Sequence, residues 1–169
     1  MAILINASAR SLGDTGLYAQ YLHAQGLIKV QDLCSLKIAQ YDYQFQNQQD
    51  DFLPFISQII KEHKTWVFAT PVYWYTMSGH LKTFLDRISD LLDLHKELGR
   101  QIRGKKLGVL AVSSKAEDLP IHFYEPLKST AHYLGMDYLG DCHAFGDSKN
   151  ISEYTKNKLI EFHKLIQKS

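Results

Sequence analysis

The sequence predicts an α/β protein: a doubly wound, five-stranded parallel sheet in the order 2-1-3-4-5, with helices on both faces. Short apolar runs alternate with helically spaced apolar residues along the whole 169-residue chain. Regular alternation of this kind demands crossover connections, and hence parallel strands. The second and fifth runs are weaker than the others, which assigns them to the sheet edges.

"AILIN", Ala2 to Asn6, is a continuous apolar run, the form of a strand covered on both faces. From Thr15, residues Leu17, Tyr18, Tyr21 and Leu22 fall three and four apart, and Gly26 supplies a stop. "LIKVQDL", from Leu27, alternates as a strand nearer an edge. Behind the acidic pair Asp50 and Asp51, Phe52, Phe55, Ile56, Ile59 and Ile60 return to helical spacing, with Pro54 where a first turn tolerates it. "TWVFAT", Thr65 to Thr70, reads as the buried central strand, and a helix carrying Leu81, Phe84, Leu85, Ile88, Leu91 and Leu92 follows. "KLGVLAV", Lys106 to Val112, is a fourth strand, with a helix from about His122 to Tyr133. "MDYLGDCHAF" is interrupted by Asp137, Gly140 and Asp141, as suits an edge. The last helix is expected to start near Asn150, with Glu153 reaching back, and to bury Leu159, Phe162, Leu165 and Ile166. No repeat or linker breaks the pattern, so residues 1–169 read as one domain.

Lys plus Arg is 19 against Asp plus Glu at 18, which leaves no broad field for nucleic acid or anionic lipid. Cys34 and Cys142 stand in unrelated contexts, so no disulfide framework or cysteine-rich metal site is expected, and both read as buried small hydrophobes. "MAILINASAR" lacks a signal leader, and no apolar stretch approaches the roughly 18 residues of a membrane span. A soluble, cytoplasmic protein is the expectation.

Sheets of this order bind ligands beyond the carboxyl ends of the strands, where the order reverses between strands 1 and 3. After strand 1 comes "NASARSLGDTG", Asn6 to Gly16. Ser8, Ser11 and Thr15 offer hydroxyls, Arg10 a fixed charge, and Gly13 and Gly16 freedom for a tight turn before a helix N-terminus. Those are the parts of a phosphate cradle, although the loop alone reads first as an ordinary connector. It lacks the lysine of a nucleotide P-loop and the glycine spacing of a dinucleotide fingerprint. After strand 3 comes "TPVYWYTMSGHLKTFLDR", Thr70 to Arg87. Three consecutive aromatics past a strand end cannot all point into one core, so at least one should face the crevice as a flat, apolar wall.

These two segments resemble the phosphate loop and the ring-binding loop of the flavodoxin-like NAD(P)H-dependent FMN reductases, whose second motif commonly reads Pro-Val-Tyr-Trp before a helix. The match in strand and helix order covers essentially the whole chain. The resemblance implies FMN as cofactor and NADH or NADPH as co-substrate, with no catalytic triad because the flavin carries the chemistry. It implies that Ser8, Arg10, Asp14, Thr15 and Gly16 hold the FMN phosphate, and that Pro71, Val72, Tyr73, Trp74, Tyr75 and Thr76 line the ribityl chain and isoalloxazine. The N–H groups of Tyr73 to Thr76 are candidates to stabilise charge on the reduced ring. Ser113 and Ser114 would contribute from the loop after strand 4, "SSKAEDLP", which lacks the glycines many relatives carry. His80 stands where relatives often have proline. The implied acceptor is small: a quinone, a flavin, an azo or nitro compound, or a ferric chelate. Lys115 or Arg103 could meet a 2′-phosphate, although surface solvation is the default reading for both. Relatives are commonly homodimers or tetramers, so a homo-oligomer is expected, with the helix after Ser78 and the Asp90 to Leu98 extension as a contact surface. Tyr41 and Tyr43 read as a surface turn.

The alternative is a flavodoxin-type electron carrier or an FMN-binding regulatory protein. Such carriers are usually strongly acidic, and the net charge of +1 argues against one; the regulatory reading stays open. A cysteine phosphatase fails because Asn6 to Gly16 contains no cysteine, and a phospho-receiver fails because Ala69 and Thr70 stand where strand 3 would need an aspartate.

Overall fold

A computed structural model describes residues 2–26 and 28–168. The strands are β1 (Ala2–Asn6), β2 (Ile28–Asp32), β3 (Thr65–Pro71), β4 (Lys106–Ser113) and β5 (Asp137–Phe145). The helices are α1 (Asp14–Ala24), α2 (Phe52–Glu62), α3 (Gly79–Asp93), α4 (Lys96–Arg100), α5 (Glu125–Leu134) and α6 (Glu153–Gln167). All strand pairings are parallel and the order is β2-β1-β3-β4-β5, as the sequence predicts. Leu27, the expected first residue of the second strand, lies outside the described residues.

Side-chain alternation along β3 divides the core. Trp66 and Phe68 face the side covered by α2, α3 and α5, where Phe52, Phe55 and Phe68 each pack edge-on or tilted against Phe84. Val67 and Ala69 face α1 and α6, meeting Tyr18, Leu22, Leu159 and Phe162. Each large apolar side chain buried this way contributes about 1.5–3 kcal/mol relative to exposure. Edge strand β5 is irregular, with its register against β4 shifting between Leu107 and Gly108.

Several details depart from the expectation. The last helix is capped by Ser152, whose Oγ accepts the Thr155 N–H, so Asn150 and Glu153 form no capping box there. Leu165 and Leu92 are exposed, because the apolar stripe of each helix is narrower than its sequence spacing suggests. Cys142 is buried, but Cys34 is only half-buried, with its Sγ 3.3 Å from Ser11 Oγ. Among the described residues, no helix is long and apolar enough to cross a membrane.

One buried charge locks the connection between β2 and α2. Arg87 of α3 is 1% exposed; its Nε donates to Asp90 at 2.8 Å, Nη1 to Asp50 at 2.5 Å and to the Ala39 carbonyl, and Nη2 to the Asn47 carbonyl. Its guanidinium also lies 4.8 Å above the Phe52 ring. Burial alone would push the Asp50 carboxyl up, but the Arg87 hydrogen bond and the N–H groups of Ala39 and Phe52 outweigh it and hold it below its ordinary value. A depressed carboxyl stabilises the fold above the ordinary aspartate range, and that contribution disappears as the pH falls through the folded value. Asp50→Ala leaves the buried guanidinium with Asp90 as its one carboxylate partner and is expected to cost about 1–3 kcal/mol, read as a lower midpoint in urea denaturation. It should also flatten the acid limb of the stability profile, and an unchanged midpoint would mean that the pair is not structural.

Candidate functional site

The loops following β1, β3 and β4 meet at the carboxyl edge of the sheet around a cleft of about 170 Å³. Ser8, Arg10, Asp14, Thr15, Pro71, Val72, Tyr73, Ser113 and Ser114 line it, together with Gly13 of the cradle loop and with Val112, which sequence reasoning had not placed there. Gly16, Trp74, Tyr75 and Thr76 do not line it.

The first loop is shaped from below. Asn6 Nδ2 donates to Asp32 at the end of β2, while Asn6 Oδ1 accepts the Ser8 N–H and Ser8 Oγ accepts the Arg10 N–H. Neither Gly13 nor Gly16 has a positive φ, so this turn does not use the left-handed conformation open to glycine. Gly16 is required sterically: a Cβ there would stand 1.8 Å from the Ser11 carbonyl oxygen, while one on Gly13 would meet nothing closer than 3.4 Å. The N-terminus of α1 has no side-chain cap, whereas α3 and α6 are capped by Ser78 and Ser152. First-turn N–H groups have no partner inside a helix, so those of α1 are available to an anion. The Asp14 carboxylate accepts from Ser148 Oγ at 2.6 Å, which leaves the backbone N–H as what Asp14 can offer an anion.

The second loop is a tight hairpin. Tyr73 N–H donates to the Thr76 carbonyl and Thr76 N–H returns the bond to Tyr73, so two of the expected charge-stabilising N–H groups are already committed. Val72 N–H is bonded to the Val112 carbonyl. Only the N–H groups of Trp74 and Tyr75 remain in this turn. Both residues have positive φ, 49° and 65°, as a type I′ turn requires, and bulky side chains rarely accept that geometry. Trp74 is 93% exposed and Tyr75 69%, so neither ring packs in the core. The hairpin is anchored behind by Ser78, whose Oγ donates to the Ala7 carbonyl at 2.7 Å while its N–H donates to Thr70 Oγ1.

At the third loop, Ser113 Oγ donates to the Lys115 carbonyl at 2.7 Å and stands 2.6 Å from His143 Nε2. With the hydroxyl proton committed to Lys115, His143 must donate through Nε2–H, so Ser113 can only accept from a ligand. Burial pushes the His143 imidazole below its ordinary value, opposed by Asp118. Asn6, Ser148 and His143 carried no local signal in the sequence, since their partners lie across the sheet. Of the two residues expected near a 2′-phosphate, Lys115 lies at this edge, but Arg103 precedes β4 and so stands at the opposite one.

The family model for NADPH-dependent FMN reductases matches residues 1–147. The chain belongs to the NADPH-dependent FMN reductase family. It is 32% identical over 151 residues to the NAD(P)H-dependent FMN-containing oxidoreductase YwqN of Bacillus subtilis, covering 81% of this chain and 80% of that one. The fold is shared with the Trp repressor binding protein of Bacillus subtilis (TM-score 0.77, 24% identity, 100% and 99% of the two chains). It is shared too with the FMN complex of general stress protein 14 from Treponema denticola (TM-score 0.63, 16% identity, 99% and 95%). As a member of this family, the protein is an FMN-dependent NAD(P)H oxidoreductase.

The residues present fit that cofactor. An uncapped helix N-terminus with Arg10 beside it suits a phosphate, and the serine and threonine hydroxyls suit a polyol chain. The cleft, about 170 Å³, is smaller than the roughly 300 Å³ usual for a drug-sized ligand.

Two substitutions test this construction. Gly16→Ala should lower both thermal stability and FMN retention, because backbone must move, while Gly13→Ala should leave both nearly unchanged; similar behaviour of the two would refute the steric argument. Replacing Trp74 and Tyr75 by Asn and Gly relieves a left-handed cost of about 1–2 kcal/mol per residue and should raise Tm while impairing turnover. A fall in Tm would show that the rings support the fold.

Proposed function

We propose that this reductase holds FMN in the cleft between the loops after β1, β3 and β4 and passes electrons to a small planar acceptor: a quinone, free flavin, or an azo or nitro aromatic. The observation that carries the reading is the convergence of residues from three distant loops, Arg10, Tyr73 and Ser113 among them, on one cleft at the switch point of the sheet. The acceptor follows from the loops that frame the cleft. Each carries an exposed apolar side chain, Leu12 after β1, Trp74 and Tyr75 after β3, and Ile121 after β4. Exposed apolar surface on all three loops favours a flat apolar molecule over a hydrated ferric chelate.

The bound FMN supplies hydride acceptance and redox chemistry. The chain's own residues bind and orient. Arg10 and the first-turn N–H groups of α1 would hold the phosphate, and Ser8 and Thr15 would direct hydroxyls toward it. Ser113, its proton committed to the Lys115 carbonyl, would take a hydrogen bond from the ribityl chain or the ring edge. The N–H groups of Trp74 and Tyr75 would be the donors for the polar edge of the ring. No side chain at the cleft is needed as a general acid or base.

Arg10→Ala is expected to weaken FMN binding by about 1.5–3 kcal/mol, measured by flavin fluorescence quenching. The reading itself is tested by the visible spectrum of the FMN-loaded protein under anaerobic NADH and NADPH. Bleaching by either nucleotide, with recovery on adding a quinone faster than on adding ferric citrate, supports it. Faster recovery with ferric citrate would overturn the assignment of the acceptor.

A further inference from the structure

A second cavity, of about 550 Å³, lies beside Tyr73 of the hairpin. Tyr73 lines both cavities and so stands between them. Leu33, Leu36 and Ile38 give the second cavity an apolar side, and Lys37 and Gln40 from the loop after β2 face His80 and Thr83 on the first turns of α3. No carboxylate lines it. The Lys37 ammonium and the His80 imidazole have no hydrogen-bond or ion-pair partner among the described residues. The acidic residues that fasten this loop are engaged elsewhere: Asp51 accepts the Lys37 backbone N–H at 2.7 Å, and Asp50 accepts the Ala39 N–H and Arg87. The cavity therefore presents uncompensated donors over an apolar floor, beside a site where two ligands must meet.

We propose that this cavity seats the phosphate-bearing adenosine end of the reduced nicotinamide dinucleotide, whose nicotinamide reaches over the hairpin to the ring site. The inference rests on the FMN site proposed for the neighbouring cleft. A dinucleotide is several times longer than the ring it must stack on, so its polyanionic end needs a separate seat within reach of the flavin. The adenine lies against Leu33, Leu36 and Ile38, and phosphate oxygens accept from Lys37 and His80. The other cation-lined cavity, with Lys96, Arg100 and Arg103, does not compete, because Arg103 lies just before the start of β4 at the opposite edge of the sheet.

The test compares wild type with Lys37→Glu and His80→Ala, both at exposed positions, with Arg103→Glu as control. In the FMN-loaded enzyme, Lys37→Glu should raise KM for the nucleotide by about tenfold with kcat and FMN affinity little changed, and Arg103→Glu should do nothing. A rise for NADPH alone would identify the 2′-phosphate as the group held, and a rise for both nucleotides the pyrophosphate; either supports the seat. In the FMN-free protein, calorimetry with 2′,5′-ADP should show binding that Lys37→Glu abolishes. Unchanged KM for both nucleotides in both variants would overturn the proposal. Failure of wild type to bind FMN would instead defeat the reading of the first cleft, while loss of 2′,5′-ADP binding on charge reversal would still support the second.

Discussion

Every residue of β3 is buried, and that constraint organises the rest of the molecule. A strand with no exposed side chain must be covered on both faces and paired on both edges, which forces helical crossovers and parallel neighbours. Parallel strands deliver all their following loops to one edge. The loops after β1, β3 and β4 are thus brought together by the same burial that stabilises the core.

What the loops do once there is governed by hydrogen bonds from distant parts of the chain. Asn6 ties the first loop to β2, Ser148 holds the Asp14 carboxylate, Ser78 joins the start of α3 to the end of β1, and His143 orients Ser113 from the edge strand. Tyr18 adds a further tie, its hydroxyl donating to the Phe145 carbonyl at 3.0 Å, with its pKa pushed up to about 12 by burial and then by Asp14 and Asp147. Polar groups fixed in this way are oriented before a ligand arrives, which lowers the ordering cost of binding.

The hairpin between the two cavities is where local preference and function part. Asn-Gly would suit its two central positions, yet Trp74 and Tyr75 occupy them in left-handed geometry. Strain of this kind persists only where the surroundings enforce it, here through the paired Tyr73–Thr76 bonds and the Ser78 anchor. Its result is a pair of solvent-exposed aromatic rings next to Tyr73, which lines both cavities, with their own N–H groups left unpaired.

From sequence alone the strand order, the two faces of the sheet and the two loops of the switch point were legible, because apolar periodicity records burial and burial dictates topology. That Ser8, Arg10, Asp14, Thr15 and Pro71 to Tyr73 line one cleft was legible in part for the same reason, since a position past a strand end is a matter of chain order; the role of each was an expectation from the family resemblance. Which groups of those loops remain free was decided only in three dimensions. The commitment of the Tyr73 and Thr76 N–H groups to each other, the engagement of Asp14 by Ser148, and the restriction of Ser113 to accepting depend on partners far away in the chain. So does the second cavity, whose walls come from α3 and the loop after β2, pinned by the buried Arg87. Periodicity reports which face a residue occupies; it carries no information about which polar atom on the opposite element satisfies it, and that is a property of tertiary distance alone.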